Sequence, residues 1–410
     1  MMPTDPPTDP PTDPTWAELA VTPHAPLRAW AAERLFRHAV ADLPVTVWLP
    51  GGRCLGAGGP VLRLVRPRAF FHRLGADAKI GFGEAYLAGD WTADDLPGVL
   101  TPFARRMAML VPRPLQLLRR WVDLPRPEGE RNTVRGARRN IHRHYDLSNE
   151  LFAEFLDETM TYSCASFAGD GDDLATAQRR KIDEMLDLAR VGPGTHLLEI
   201  GTGWGELALR AARRGARVTT LTLSEQQRAL AAKRMAEEGV ADRVEVVLCD
   251  YREARGHYDA IVSVEMIEAV GAEYWPDYFA TLDRLLEPGG RVALQAITMP
   301  HDRLLATRDS HTWIHKYVFP GGQLLSVPAV EQALRDHTTL RVRQRHALGA
   351  DYARTLSRWR SRFLAAWPAV AALGFDTTFR RMWEFYLAYC EAGFRAGYLD
   401  VHQFALDRAT

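Results

Sequence analysis

Cysteine is scarce and scattered. Cys54, Cys164, Cys249 and Cys390 form no CxxC pair, which excludes a disulfide framework and a zinc-binding spacing and fits a reduced, cytoplasmic setting. No N-terminal stretch joins a basic head to an apolar core, so no secretory signal is read. Long apolar runs are lacking too. The longest, Phe363 to Phe375, is short and holds Pro368, so it cannot span a bilayer. Net charge is absent: 51 Lys+Arg balance 51 Asp+Glu, which argues against a dedicated nucleic-acid binder. What is present is ordinary for a globular protein. The 410 residues are 47% hydrophobic and 25% charged, enough for two to three domains.

The chain divides by composition. Residues 1–15 carry a Pro-Thr-Asp-Pro repeat with almost no core-forming side chains, and they read as disordered. Residues 16–104 read as a small α+β domain, with a helix and strand around Trp30, Phe36, Val45 and Val47 and the motif Gly81–Trp91. Residues 105–138 are an Arg- and Pro-rich linker. Across Thr101–Tyr145 there are eleven arginines against Asp123, Glu128 and Glu130. Such a stretch is a solvated linker or an electrostatic landing strip for anionic phospholipid, where each basic side chain contributes about 1 kcal/mol. Residues 139–410 form the remaining domain.

From about Ala175 the pattern alternates strand and helix: strands at 195–200, 217–221, 243–248, 259–264 and 291–297, helices at 206–214 and 224–238, the latter with Ser224 as N-cap. Alternation of this kind predicts an α/β fold, an open, mostly parallel sheet with helices on both faces. Residues 199–205 read Glu-Ile-Gly-Thr-Gly-Trp-Gly between the first strand and its helix. Ligands in such sheets bind beyond the carboxyl ends of the strands. No Lys-Ser/Thr follows the glycines, so this is not a phosphate-cradling loop. Glu199 before the glycines and Asp250 after the third strand resemble the Rossmann-like class I S-adenosylmethionine methyltransferase pattern.

Longer stretches carry a more specific resemblance. They are His144–Phe152 (HYDLSNELF), Thr161–Phe167 (TYSCASF), Leu197–Leu209, Leu221–Gln227, Val262–Gly271 (VSVEMIEAVG), Trp313–Gly322, Gly349–Leu356 and Arg381–Gly397. In this order they resemble the cyclopropane-fatty-acyl-phospholipid synthase family, which includes mycolic acid cyclopropane synthases and enzymes that install mid-chain methylene branches. The Gly81–Trp91 motif resembles the small N-terminal domain of the phospholipid-acting members.

The resemblance implies roles. Tyr162 and Ser163 border S-adenosylmethionine, Gly201 and Gly203 lie against its methionine portion, Thr222, Leu223 and Gln227 serve the ribose, and Asp250 and Tyr251 flank the adenine. A bicarbonate ion is caged by Cys164, Glu268, Ile297 and Tyr352, with Gln295 where the family has histidine. Two positions depart from the family: Ala269 replaces the His of a Glu-His pair, and Gln295 starts a Gln-Ala-Ile in place of His-Thr-Ile. Gln donates hydrogen bonds but carries no proton or charge.

The implied reaction is transfer of a methyl or methylene group to the cis double bond of an unsaturated acyl chain, through a carbocation that Tyr162 or Tyr317 could stabilise by its ring face. The implied partners are the phospholipid surface at the inner face of the membrane, a second copy of the chain, and a reductase if the product is a methylene. Two alternatives stand beside it: a methyltransferase acting on a soluble small molecule, and a non-catalytic lipid-binding protein. His142 and His144 read as hydrogen-bonding residues, not metal ligands. Most of the aromatics between Trp313 and Tyr386 read as core.

Overall fold

A computed structural model describes residues 16–107, 127–134, 136–137 and 148–408. The Pro-Thr-Asp repeat, most of the basic linker, His142 and His144 lie outside the described residues.

The described residues fall into two compact units that do not follow a simple N-terminal and C-terminal division. The first joins the N-terminal part to Ser310–Val318 and Phe363–Tyr398; the second comprises Pro127–Asp309, Phe319–Arg362 and Leu399–Thr410. Specific bonds draw the two late segments into the first unit. Arg381 Nε donates to the Tyr86 carbonyl at 2.8 Å, Tyr86 OH donates to Glu384 at 3.2 Å, and Lys316 Nζ donates to Glu84 at 2.8 Å. A division read from composition alone assigns both segments to residues 139–410, because none of these bonds is local in sequence.

In the first unit a four-stranded sheet is built from β1 (Thr46–Trp48), β2 (Cys54–Leu55), β3 (Val61–Leu64) and β4 (Trp91–Ala93), in the order β2-β1-β3-β4. Helix Pro26–Val40 precedes it, as the sequence predicts. The Gly81–Trp91 motif is explained by packing. A side chain at Gly81 would bring a Cβ within 2.1 Å of the Arg73 carbonyl, and one at Gly83 within 2.4 Å of the Trp313 ring. Asp90 is 1% exposed and binds two arginines, Arg73 at 3.0 Å and Arg66 at 2.8 Å; Arg73 is itself 3% exposed and donates to the Leu19 carbonyl at 2.6 Å.

The second unit contains β5 (His196–Ile200), β6 (Arg217–Thr222), β7 (Val244–Leu248), β8 (Tyr258–Val264), β9 (Leu286–Thr298), β10 (Leu340–Ala347) and β11 (Asp400–Arg408). They form one sheet in the order β10-β11-β9-β8-β5-β6-β7. Strands β5 to β9 run parallel, and β11 is antiparallel to both of its neighbours. Alternate residues serve opposite faces. Leu197, Val218, Ala260, Val262 and Ala293 pack with Ile182, Met185, Leu207 and Ala211 of helices Leu174–Leu188 and Glu206–Arg213. Leu198, Leu221, Ile261, Val292 and Leu294 pack with Tyr278, Phe279 and Leu282 of helix Trp275–Leu285. Helices therefore cover both faces, which is why these strands read as near-continuous apolar runs. The sequence reading contains neither β10 nor β11. Strand β10 reads LRVRQRHA, an edge strand whose outer residues are exposed.

The buried Asp90–Arg73 pair generates a prediction. Asp90→Ala leaves Arg73 buried without its counter-charge, so the variant should be destabilised by about 3–5 kcal/mol. Urea denaturation of the purified variant measures this, and an unchanged midpoint would show that water reaches Arg73.

Candidate active site

The carboxyl ends of β5, β6, β7 and β8 carry Glu199, Gly201, Gly203, Thr222, Asp250, Tyr251 and Glu268 in the second unit. At the end of β5 the loop Gly201–Gly205 is anchored by hydrogen bonds and packing. Gly201 and Thr202 donate their amides to the Leu221 carbonyl, both at 3.0 Å. The buried Trp204 donates its indole N–H to Asn149 at 2.8 Å and packs on Phe152. Gly201 and Gly203 have φ of +103° and +52°, conformations that L side chains rarely adopt. A Cβ at Gly203 would meet nothing within 4 Å, so open space lies beside the loop. That is a cradle a ligand can enter up to the backbone, and it fits the methionine portion of S-adenosylmethionine.

Around the loop the predicted residues are positioned as follows. Glu199 is 4% exposed and accepts from Thr220 Oγ at 2.6 Å. Burial pushes its carboxyl up to about 8, against the opposing pull of Thr220 and Lys181. Thr222 Oγ donates to Gln227 at 2.8 Å, and both are buried; Leu223 between them is partly buried. Ser224 caps helix Glu225–Glu237, as expected, through the Gln227 amide at 3.3 Å. Asp250 is 1% exposed, and the Arg252 guanidinium binds both of its oxygens, at 2.8 and 2.7 Å. Tyr251 is buried beneath the same guanidinium. Tyr162 is partly buried with its ring against Phe152 and Trp359, and buried Ser163 accepts from Lys181 Nζ at 2.7 Å. Tyr317 belongs to the first unit, where its hydroxyl donates to Glu84 at 2.8 Å.

The five residues expected around one anion separate into two groups. Cys164, Gln295 and Tyr352 converge on a residue the sequence reading passed over, Glu265. Its Oε1 accepts from the Cys164 amide at 2.9 Å and from Gln295 Nε2 at 2.8 Å, and its Oε2 accepts from Tyr352 OH at 2.7 Å. Gln295 is fully buried, and its own carbonyl oxygen accepts from Gln403 Nε2 at 3.1 Å, which turns the amide N–H₂ toward Glu265. Burial pushes the Glu265 carboxyl up, while its three donors and the Lys181 charge hold it down.

Glu268 and Ile297 form the second group. Glu268 lies in a short 3-10 helix, Ile267–Ala269, and its Oε1 accepts from the Ile297 amide at 2.5 Å. Its Oε2 is buried and has no hydrogen-bond partner among the described residues. Burial first, and Glu265 second, push its carboxyl up to about 8. The Cys164 thiol is fully buried against the Ala165 and Leu348 carbonyls, and burial pushes it well above its usual range, which disfavours the thiolate. The donors assigned to bicarbonate are thus occupied by this chain's own carboxylates, and the site does not fit that ion.

Sequence reasoning missed Glu265 and Lys181. Glu265 had a signal: two acids three residues apart directly after a strand, at the sheet end where ligands bind. Lys181 had none, since one lysine in a helix between arginines looks like a surface residue. It is 1% exposed, and burial lowers its pKa.

Comparison with known proteins follows the same outline. The family described as mycolic acid cyclopropane synthetase matches residues 132–404. Tuberculostearic acid methyltransferase UfaA1 of Mycobacterium tuberculosis is 51% identical over 406 residues, 96% of this chain and 95% of that protein. Cyclopropane-fatty-acyl-phospholipid synthase of Escherichia coli K12 is 35% identical over 371 residues, 87% of this chain and 90% of that protein. Among solved structures, the cyclopropane synthase MmaA2 from Mycobacterium tuberculosis gives a TM-score of 0.61 at 33% identity, covering 66% of this chain and 97% of its own. The mycolic acid cyclopropane synthase CmaA1, complexed with SAH and CTAB, gives 0.61 at 32% identity, covering 68% and 98%.

The two buried acids generate a prediction. Folded Glu199 and Glu268 hold their protons up to about pH 8, whereas the unfolded chain releases them near 4.5. The folded state therefore binds more protons across that window, and stability falls as pH rises through it. Glu268→Gln removes one of these groups, so its urea midpoint should drop less than that of the wild-type protein between pH 5 and pH 8. Parallel slopes would place Glu268 in contact with solvent. With this sheet order, this loop and these relatives, the chain belongs to the mycolic acid cyclopropane synthetase family, with a class I methyltransferase fold.

Proposed function

We propose that this chain is an S-adenosylmethionine-dependent C-methyltransferase that adds one carbon across the cis double bond of an unsaturated fatty acyl chain in a membrane phospholipid. The product is a cyclopropane or, after a hydride shift, a mid-chain methylene. The observation that carries this reading is the extent of the match. The relatives named for tuberculostearic acid and for fatty-acyl phospholipid align with 96% and 87% of the chain, N-terminal part included, whereas cyclopropane mycolic acid synthase 1 aligns with 66%.

Bound S-adenosylmethionine supplies an electrophilic methyl group. The backbone at Gly201 and Gly203 would take its methionine portion, Thr222, Leu223 and Gln227 the ribose, and Asp250 and Tyr251 the adenine. Ser163 and Tyr162 would border it, with the Tyr162 ring offering a face to positive charge on the acyl chain. The aromatic rings of Phe152 and Trp359 beside Tyr162 would help keep water from a cation.

The lipid reaches the protein at the membrane surface. No described helix is long and apolar enough to cross a membrane. The arginine-rich linker 105–138, with the N-terminal domain, would bind anionic headgroups at the inner face. A methylene product would need a reductase to become a methyl branch, because its C=C bond must gain a hydride and a proton.

Two measurements test this. Protein mixed with S-adenosylmethionine and liposomes of a cis-monounsaturated phospholipid should yield acyl chains one carbon larger. Proton NMR then separates high-field ring protons from vinylidene protons. A chain that gains no carbon while cofactor binds would favour a soluble substrate, and failure to bind cofactor would favour a lipid carrier. In co-sedimentation, binding to anionic liposomes should exceed binding to neutral ones and weaken with salt; salt-insensitive absence of binding would exclude recruitment by the linker.

A further inference from the structure

Glu265 combines features that a purely structural acid does not need. It stands immediately after β8, beside the glycine loop that follows β5. Its φ is +50°, an uncommon and strained conformation for a residue with a side chain. The strain is held by its amide, which donates to the Gln295 carbonyl at 2.9 Å, and by the three donors on its carboxylate. Two of those donors bind Oε1 and one binds Oε2. A carboxylate has about four acceptor positions, so beyond these donors from the described residues one is left, on Oε2. The residue as a whole is partly buried.

We propose that Glu265 is the resident base of the reaction and takes the place of an exchangeable anion. The inference rests on the acyl-methylating function proposed above. The step balances within the protein and its substrate. A C–H bond of the newly added carbon breaks. Its electron pair closes the ring, or forms the C=C bond after a hydride shift, and discharges the carbocation. The proton goes to Glu265 Oε2, which becomes a neutral carboxyl group and later releases it to water. Tyr352, Gln295 and the Cys164 amide aim the carboxylate, and Gln403 is a positioning residue that orients Gln295. Nearby Glu268 holds its own proton, so two negative charges need not share the site.

The test compares wild type, Glu265→Gln and Glu265→Gly in buffer stripped of carbon dioxide, with and without added bicarbonate. Glycine suits the left-handed backbone, so Glu265→Gly relieves strain and should fold. Wild-type turnover should be unchanged by bicarbonate. Glu265→Gln should lose about 100-fold or more, the range of a missing general base, and should not be rescued, because its amide still fills the cage. Glu265→Gly should be inactive when stripped and regain turnover with bicarbonate.

Two readouts are independent of turnover. Carbon-13 NMR should show labelled bicarbonate binding to Glu265→Gly and not to wild type, and calorimetry should show equal S-adenosylmethionine affinity in all three proteins. Bicarbonate bound by wild type, or Glu265→Gln turnover within about two-fold of wild type, would overturn the proposal. Absence of acyl methylation in every protein, wild type included, would instead overturn the function it rests on, and the bicarbonate-binding arm would still report on the cage.

Discussion

A carboxylate taken out of water must find donors, and in this protein that requirement organises the catalytic unit. The Glu265 side chain draws one donor from the segment before helix Leu174–Leu188, one from β9 and one from helix Gly349–Ala365. These contributors are 101, 30 and 87 residues away in sequence. The backbone of the same residue is pinned to β9, so its strained φ is maintained by the sheet itself. Adding β11 outside β9 extends the chain of hydrogen bonds, because Gln403 opposes Gln295 across the antiparallel pair and fixes which end of its amide faces the acid. A departure from the family pattern at Gln295 thus has a local meaning: an amide N–H₂ donates to the neighbouring Glu265 carboxyl.

The neighbourhood gathers buried and partly buried ionisable groups. Lys181, Glu199, Glu265 and Glu268 belong to one electrostatic group in which burial opposes ionisation of every member. Lys181 and the three donors favour charge on Glu265, whereas burial and the nearby Glu265 favour a proton on Glu268. Division of labour between two nearby acids is a recurrent way to keep one carboxylate basic beside another that stays neutral. The apolar surroundings that raise these carboxyls also suit a lipid chain and a cation that water must not reach.

Much of the fold was legible beforehand. The five parallel strands, the helices after the first two of them and the Ser224 cap follow from apolar runs, alternation and capping chemistry, all local properties. Less was legible where position depends on distant partners. Strands β10 and β11 are polar or mixed in sequence and become strands because β9 offers an edge to pair with. Ser310–Val318 and Phe363–Tyr398 join the first unit through side chains such as Lys316 and Arg381, whose partners lie more than two hundred residues away.

The candidate site divides in the same manner. By itself, the sequence determined the methyltransferase-type loop at Gly201–Gly205, its place after a strand, and the residue types gathered near it, because a tight turn and an apolar strand are written in neighbouring residues. Tertiary structure alone decided that Cys164, Gln295 and Tyr352 meet Glu265 while Glu268 turns to Ile297. Two acids three residues apart have the same chemistry on paper. Which of them receives the donors depends on the backbone angle at Glu265 and on strands and helices that arrive from elsewhere in the chain.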